Sequence, residues 1–215
     1  MNYTETSMAN NSKKYWQHVY DNNKPLDSKP WLCRYDEYLG PGKKVLDLGC
    51  GYGNDTRELI ALGCDVISTD LIQGMVDKTL ADVAGSKGFA FDMENDDWAV
   101  FVDNQFDVVV AGLSLHYFSA EVTTRIIQEI KRILLPGGIL LARVNSVNDA
   151  AHGAGDGERI EDNFYIDRVR GNNKRYFDRR AVEKFFSPLG KLTYKEVKDV
   201  FNNNTKVMFE IVVKV

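Results

Sequence analysis

The sequence predicts an α/β domain with a mostly parallel, doubly wound sheet and a helical N-terminal appendage. Three observations carry this. Strand-length apolar runs alternate with helix-spaced segments from residue 43 to 144, and such alternation builds right-handed βαβ units. The run Phe106-Asp107-Val108-Val109-Val110-Ala111 is almost uninterrupted and rich in β-branched residues, as expected of a strand covered on both faces. Two closing strand-like runs, 193–200 and 207–213, are joined by a short Asn202-Asn203-Asn204 connection and read as an antiparallel hairpin.

The elements follow in order. Residues 1–11 are polar and read as a loose arm. Tyr15, Trp16, Val19 and Tyr20 recur at helical spacing until Pro25 and Pro30 break the segment. A short helix is expected over 31–38, closed by Gly40-Pro41-Gly42. A strand over 45–48 enters a glycine-rich turn and a helix over 56–62, followed by a strand over 65–69 and a helix over 73–83. Residues 88–91 and 106–111 give the third and fourth strands. Ser119 suits the N-cap of a helix with Val122, Ile126, Ile127, Ile130, Ile133 and Leu134 on one face. Pro136-Gly137-Gly138 ends that helix, and 139–144 gives the fifth strand. From 145 to 175 the pattern loosens into a polar, glycine-containing stretch with no element expected. A helix over 179–186 then precedes the hairpin.

Composition narrows the function. With 215 residues, 44% apolar and 27% charged, the chain is an ordinary globular sequence of one domain. No run approaches the ~18 apolar residues that cross a bilayer, and residues 1–14 lack an apolar signal-peptide core. The balance of 27 basic and 31 acidic residues, net −4, gives no global attraction to phosphate backbones. Cys33, Cys50 and Cys64 are odd in number and lack metal-ligand spacing. A reduced, cytoplasmic chain without structural zinc is expected.

The segment Val45-Leu46-Asp47-Leu48-Gly49-Cys50-Gly51-Tyr52-Gly53 is the most informative. Glycines between a strand and a helix let backbone approach a ligand where side chains would collide. The turn also lies at the carboxyl edge of a parallel sheet, where such folds bind ligands. Asp70 closes the second strand, 21 residues after Gly49, where a carboxylate can accept hydrogen bonds from a ribose diol. The dinucleotide fingerprint wants a third glycine where this chain has Asn54. Asp47 beside the loop suits a cationic ligand, with an ammonium and a sulfonium, better than a pyrophosphate.

In these residues the chain resembles the class I S-adenosylmethionine-dependent methyltransferases, from about residue 43 to the C-terminus. Further segments are similar in the family's order: Phe91-Asp92-Met93 after the third strand, the fourth-strand segment 106–118, and Leu134-Leu135-Pro136-Gly137-Gly138 before the fifth. The resemblance implies a Rossmann-like seven-stranded sheet of order 3-2-1-4-5-7-6 with strand 7 antiparallel. It implies residues 1–42 as an arm with lid helices and 43–215 as the methyltransferase domain. It also implies S-adenosyl-L-methionine as cofactor, near Asp47, Gly49, Cys50, Gly51, Asp70, Leu71, Asp92, Met93, Ala111 and Trp16. In that assignment Asp70 takes the ribose, Leu71 packs on adenine, Asp92 accepts the adenine amino group and the Met93 backbone meets the ring. The 106–118 segment, with Ala111, lines the methionine end, and Trp16 is a lid aromatic facing the sulfonium.

Methyl transfer from a sulfonium is an in-line displacement, for which a protein aligns the nucleophile, excludes water and, where needed, takes a proton. His116, just after the fourth strand, is the general-base candidate, with a structural role in its loop as the competing reading. His152 lies where it can approach a substrate, against the alternative of a solvated loop histidine. Arg34 is a candidate for the cofactor carboxylate. Arg168, Arg170, Lys174 and Arg175, with Arg179 and Arg180, form a basic stretch suited to an anionic substrate. The competing reading pairs them with Asp156, Glu158, Glu161 and Asp162. The expected function is methyl transfer to a small-molecule acceptor, with neither membrane nor nucleic acid as partner. An RNA methyltransferase and a non-catalytic S-adenosylmethionine-binding protein are the alternatives. An NAD-dependent dehydrogenase is disfavoured by Asn54 and Asp47.

Overall fold

A computed structural model describes residues 5–22, 29–167, 171–201 and 204–215. The chain runs α1 (Glu5–Asp21), a 3-10 turn (Leu32–Tyr38), β1 (Lys44–Leu48), α2 (Asn54–Ala61), β2 (Asp65–Asp70), α3 (Gln73–Asp82) and β3 (Lys87–Ala90). It continues through β4 (Phe106–Gly112), α4 (Ala120–Ile133), β5 (Leu134–Asn145), β6 (Glu158–Glu161), β7 (Phe164–Asp167) and β8 (Asn172–Arg175). It closes with α5 (Arg179–Phe186), β9 (Lys191–Phe201) and β10 (Asn204–Lys214).

The main sheet has seven strands in the order β3-β2-β1-β4-β5-β10-β9. This is the expected order, since β9 and β10 are the sixth and seventh strands of that sheet. β1 pairs in parallel with β2 and β4, and β4 with β5. β10 inserts antiparallel between β5 and β9. Apolar side chains cover both faces. On one, Leu46, Val109, Leu140 and Phe209 pack with Ile126 and Ile130 of α4 and Phe186 of α5. On the other, Val45, Val66, Val108 and Leu141 pack with Trp31 and Leu32. Caps hold the helices in place: the Ser119 hydroxyl accepts from the Val122 N–H, and the Asp178 carboxylate from the Ala181 N–H.

Four features differ from expectation. Helix α1 begins at Glu5, so residues 5–11 are helical where a loose arm is expected from their polarity. α4 ends at Ile133 and β5 begins at Leu134, so Pro136-Gly137-Gly138 lies within the strand. Where a helix over 31–38 is expected, Leu32–Tyr38 forms a 3-10 segment with Tyr35 off helical geometry. The stretch 145–175 holds a second, three-stranded antiparallel sheet, β6-β7-β8. Its buried residues include Asn172, Asn173 and Arg175, so its inner surface is partly polar and hydropathy gave no strand signal.

Helix α1 docks over the carboxyl edge of the main sheet. Trp16, Val19 and Tyr20 pack against Tyr52, Ile72 and Met75. The absence of a side chain at Gly74 admits the Tyr20 ring, which lies 2.5 Å from where a Cβ would stand. Helix α1 therefore lies against the loops after β1 and β2.

Candidate active site

The glycine loop turns tightly at the end of β1. Gly49, Gly51 and Gly53 have φ of 92°, 52° and 75°, a region where a side chain is strained. Gly49 also needs to be small, because a Cβ there would stand 2.5 Å from Ser114 Cβ. The Gly49 and Cys50 N–H groups both donate to the Thr69 carbonyl at 2.8 Å, stitching the loop to β2.

Asp70 sits where β2 ends. Its carboxylate accepts from the Gly51 N–H at 2.9 Å and the Ile72 N–H at 3.0 Å. Burial pushes its pKa up, against the pull of these donors. A carboxylate has about four acceptor positions, so two bonds to backbone leave capacity for a ligand diol.

A cavity of about 590 Å³ opens above this loop. Gly49, Cys50, Gly51, Asp70, Leu71, Met93 and Trp16 line it. Trp16 stands edge-on to Tyr117 with ring centroids 5.4 Å apart. Three other sequence candidates are placed differently. Asp47 is buried beneath the loop, where it accepts from the Thr56 hydroxyl at 2.6 Å. The Asp92 carboxylate caps its own turn, accepting from the Glu94 N–H and the Asn95 side chain, both at 2.9 Å. Ala111 is packed in the core, and its neighbour Gly112 reaches the cavity.

Sequence reasoning missed Asp55 and Arg143, which form the polar wall beyond the loop. Asp55 accepts from the Trp31 indole N–H at 3.0 Å. A Cβ on Gly112 would stand 2.1 Å from its carboxylate, so the glycine ending β4 is what admits Asp55. Arg143 lies 4.5 Å over the Trp31 ring. Its guanidinium is oriented by the buried Glu210, at 2.7 and 3.1 Å. Arg34 binds the same Glu210 at 2.7 Å and is not among the cavity residues. Burial raises Asp55 to about 6, against the Trp31 bond and the Arg143 charge. Burial, then the Asp55 charge, raises Asp47 to about 8. Nothing in the sequence singles out Asp55 or Arg143. Only their convergence on one wall marks them.

The far end of the cavity is lined by His116, Asn145, His152, Lys174 and Lys206. His116 is buried, and its Nδ1 has no hydrogen-bond partner among the described residues. Burial, followed by the charges of Lys206 and Lys174, holds it well below the usual histidine range. Arg175 is spent elsewhere: it pairs with Glu161, donates to the Phe118 and Asp162 carbonyls and stacks on Phe164. Arg168 and Arg170 lie outside the described residues. Among the described residues no cluster could hold a metal ion, and no helix is long and apolar enough to cross a membrane.

The donor set fits S-adenosylmethionine. Asp70 is placed for a diol, Leu71 and Met93 offer apolar contact, and an acid and a base stand at the other end of the glycine loop. Asp55 suits an ammonium and Arg143 a carboxylate, the two charges of an amino-acid tail.

Comparison with known proteins points the same way. The family model described as a methyltransferase domain matches residues 45–138. A tRNA N(3)-methylcytidine methyltransferase, Mettl2 of Drosophila melanogaster, is 27% identical over 175 residues, covering 71% of this chain and 54% of its own length. The chain thus spans about half of that relative. A 1,6-didemethyltoxoflavin-N1-methyltransferase of Burkholderia thailandensis, solved with its substrate and S-adenosylhomocysteine, superposes with TM-score 0.72 at 16% identity. That match covers 96% of this chain and 88% of the other. A SAM-dependent methyltransferase of Methanosarcina mazei gives TM-score 0.70 at 18% identity, covering 87% and 98%. Residues 45–138 thus match a methyltransferase domain, and the 3-2-1-4-5-7-6 sheet with a cavity at the glycine loop is the fold of class I S-adenosylmethionine-dependent methyltransferases.

Proposed function

We propose that the protein transfers a methyl group from S-adenosylmethionine to a small-molecule acceptor. The observation that carries this reading is the single cavity of about 590 Å³ joining the glycine loop to the polar end at His116 and His152. Its size falls within the roughly 300–1,000 Å³ of small-molecule sites, with room for a cofactor and a compact partner. Lys174 and Lys206 on its wall favour an acceptor with negative charge.

The bound sulfonium supplies the activated carbon. The chain's residues do the rest: Asp70 holds the ribose, and Asp55 and Arg143 hold the amino-acid tail. Trp16 and Tyr117 keep water from the reacting centre. His116, kept neutral by burial, offers a hydrogen bond to the acceptor. Three free cysteines and the lack of a membrane-length helix among the described residues suit a cytoplasmic location, which is part of this proposal.

An RNA acceptor is the second reading, favoured by the tRNA methyltransferase relative. The net charge of −4 weighs against it. Incubation with methyl-labelled S-adenosylmethionine and either a low-mass cell-extract fraction or total tRNA decides between them. Label in a low-mass product is the expected result. Label confined to tRNA, with a steep salt dependence, would establish the second reading. Tight cofactor binding with no labelled product in either arm would leave a binding protein without turnover.

A further inference from the structure

Two residues of the cavity wall, His152 and Lys206, meet on a third, Asp149. Asp149 is wholly buried, and its carboxylate accepts from His152 Nδ1 at 2.8 Å, the Val207 N–H at 3.0 Å and Lys206 Nζ at 3.0 Å. The backbone is fixed as well. The Asp149 carbonyl accepts from the His152 and Ala154 N–H groups, and the Tyr176 hydroxyl donates to the His152 carbonyl at 2.9 Å. His152 and Lys206 both face the cavity.

We propose that His152 is the general base of the reaction, positioned by Asp149, and that the acceptor is a protic group, a hydroxyl or ring N–H that loses its proton on methylation. This rests on the methyltransferase reading above. An ionised carboxylate only accepts, so the proton lies on Nδ1 and the lone pair on Nε2. As the acceptor's bond to carbon forms, its proton passes to Nε2, and the electron pair of the breaking carbon–sulfur bond returns to sulfur. The imidazolium then stands beside the Asp149 carboxylate, which Lys206 and the Val207 N–H keep from turning away.

His116 lacks such a carboxylate. It faces the charges of Lys206 and Lys174, so a proton there is repelled by two cations. That contrast assigns proton removal to His152 and a neutral hydrogen bond to His116. Among the described residues, the charged and titratable groups around His152 include Asp149 and Lys206 in its network, Asp156, Lys174 and His116 on the cavity wall, and the Tyr176 hydroxyl on its carbonyl. A thioether or tertiary amine acceptor has no proton to lose and would make no use of the pair.

The test compares wild type with His152→Ala, and with His152→Gln as a second variant, using labelled S-adenosylmethionine and the low-mass extract fraction. Cofactor affinity, which reports folding, is expected to hold within about twofold while the rate falls by about 10²–10⁴-fold. Imidazole added to His152→Ala should restore turnover, with a pH profile following the added base. Asp149→Asn should lower the rate with cofactor affinity held, and adding it to His152→Ala should cost nothing further. Undiminished rates in both His152 variants, or a loss that imidazole does not repair, would overturn the assignment. Wild type that binds cofactor and labels nothing would instead sink the methyltransferase reading, and this inference with it.

Discussion

The two ends of the cavity handle their polar groups in opposite ways. At the cofactor end the chain ties its own donors and acceptors together. The Gly49, Cys50 and Gly51 N–H groups are bonded to β2, and Asp70 is fixed by two backbone donors. At the acceptor end His116 Nδ1 and Asn145 Oδ1 are buried with no hydrogen-bond partner among the described residues. A buried polar atom left unpaired costs about 1–3 kcal/mol. The lesson is that the glycine-loop end is tied together by local backbone geometry, whereas the far end holds a tied Asp149 network beside two polar atoms that the described residues leave unpaired.

Breaking the first end should have the largest effect. Gly49→Ala places a methyl against Ser114, and overpacking of this kind costs about 1–3 kcal/mol. The left-handed backbone adds about 1–2 kcal/mol. Urea unfolding should show the loss, together with undetectable cofactor binding. Next, Arg175→Ala should lower stability by about 1.5–3 kcal/mol by removing charge-assisted bonds, without altering acceptor KM in the folded fraction. Asp70→Ala should weaken cofactor binding by about 1–3 kcal/mol. An unchanged affinity in a folded Asp70 variant would remove the ribose from that carboxylate.

Two smaller effects sharpen the contrast. Asp55 and Asp47 titrate near 6 and near 8, above their unfolded range, so the folded chain keeps protons that the unfolded chain has released. Their contribution makes the ligand-free protein less stable as pH rises from about 4 to 8. A ligand ammonium at Asp55 needs the charged carboxylate, so cofactor affinity should rise as pH passes about 6. Calorimetry in buffers of different ionisation enthalpy would detect proton release on binding, and flat affinity from pH 5 to 8 would refute the pairing. Lys174→Ala should raise acceptor KM modestly, by the equivalent of under about 1 kcal/mol, and leave cofactor affinity alone.

The same contrast explains what the sequence could reveal. β1, the glycine loop and Asp70 are contiguous or evenly spaced, so the fold and the glycine-loop wall of the cavity were readable from pattern and motif, whereas Asp47, Asp92 and Ala111 fall outside the cavity lining. The order of the seven strands followed from the family resemblance, and the C-terminal hairpin supported it from spacing alone. The remaining polar wall was not readable, because it joins residues far apart in the chain. Asp55 and Arg143 beside the glycine loop, and Asp149 and Lys206 at the far end, come from four segments, and each alone has an ordinary structural reading. The β6-β7-β8 sheet buries asparagines and an arginine, so apolar periodicity could not announce it. Within the basic stretch, Lys174 reaches the cavity and its neighbour Arg175 braces the small sheet. Alternation along β8 separates their roles in a way that charge counting could not.

The central claim is that the glycine loop, Asp70 and the Asp55–Arg143 pair form a site for S-adenosylmethionine. Titration calorimetry of the wild-type chain with S-adenosylmethionine and, separately, with NAD tests it most directly. The account predicts one site for S-adenosylmethionine, weakened by both Asp70→Ala and Arg143→Ala, and no NAD signal. Tight NAD binding with no heat from S-adenosylmethionine would contradict it.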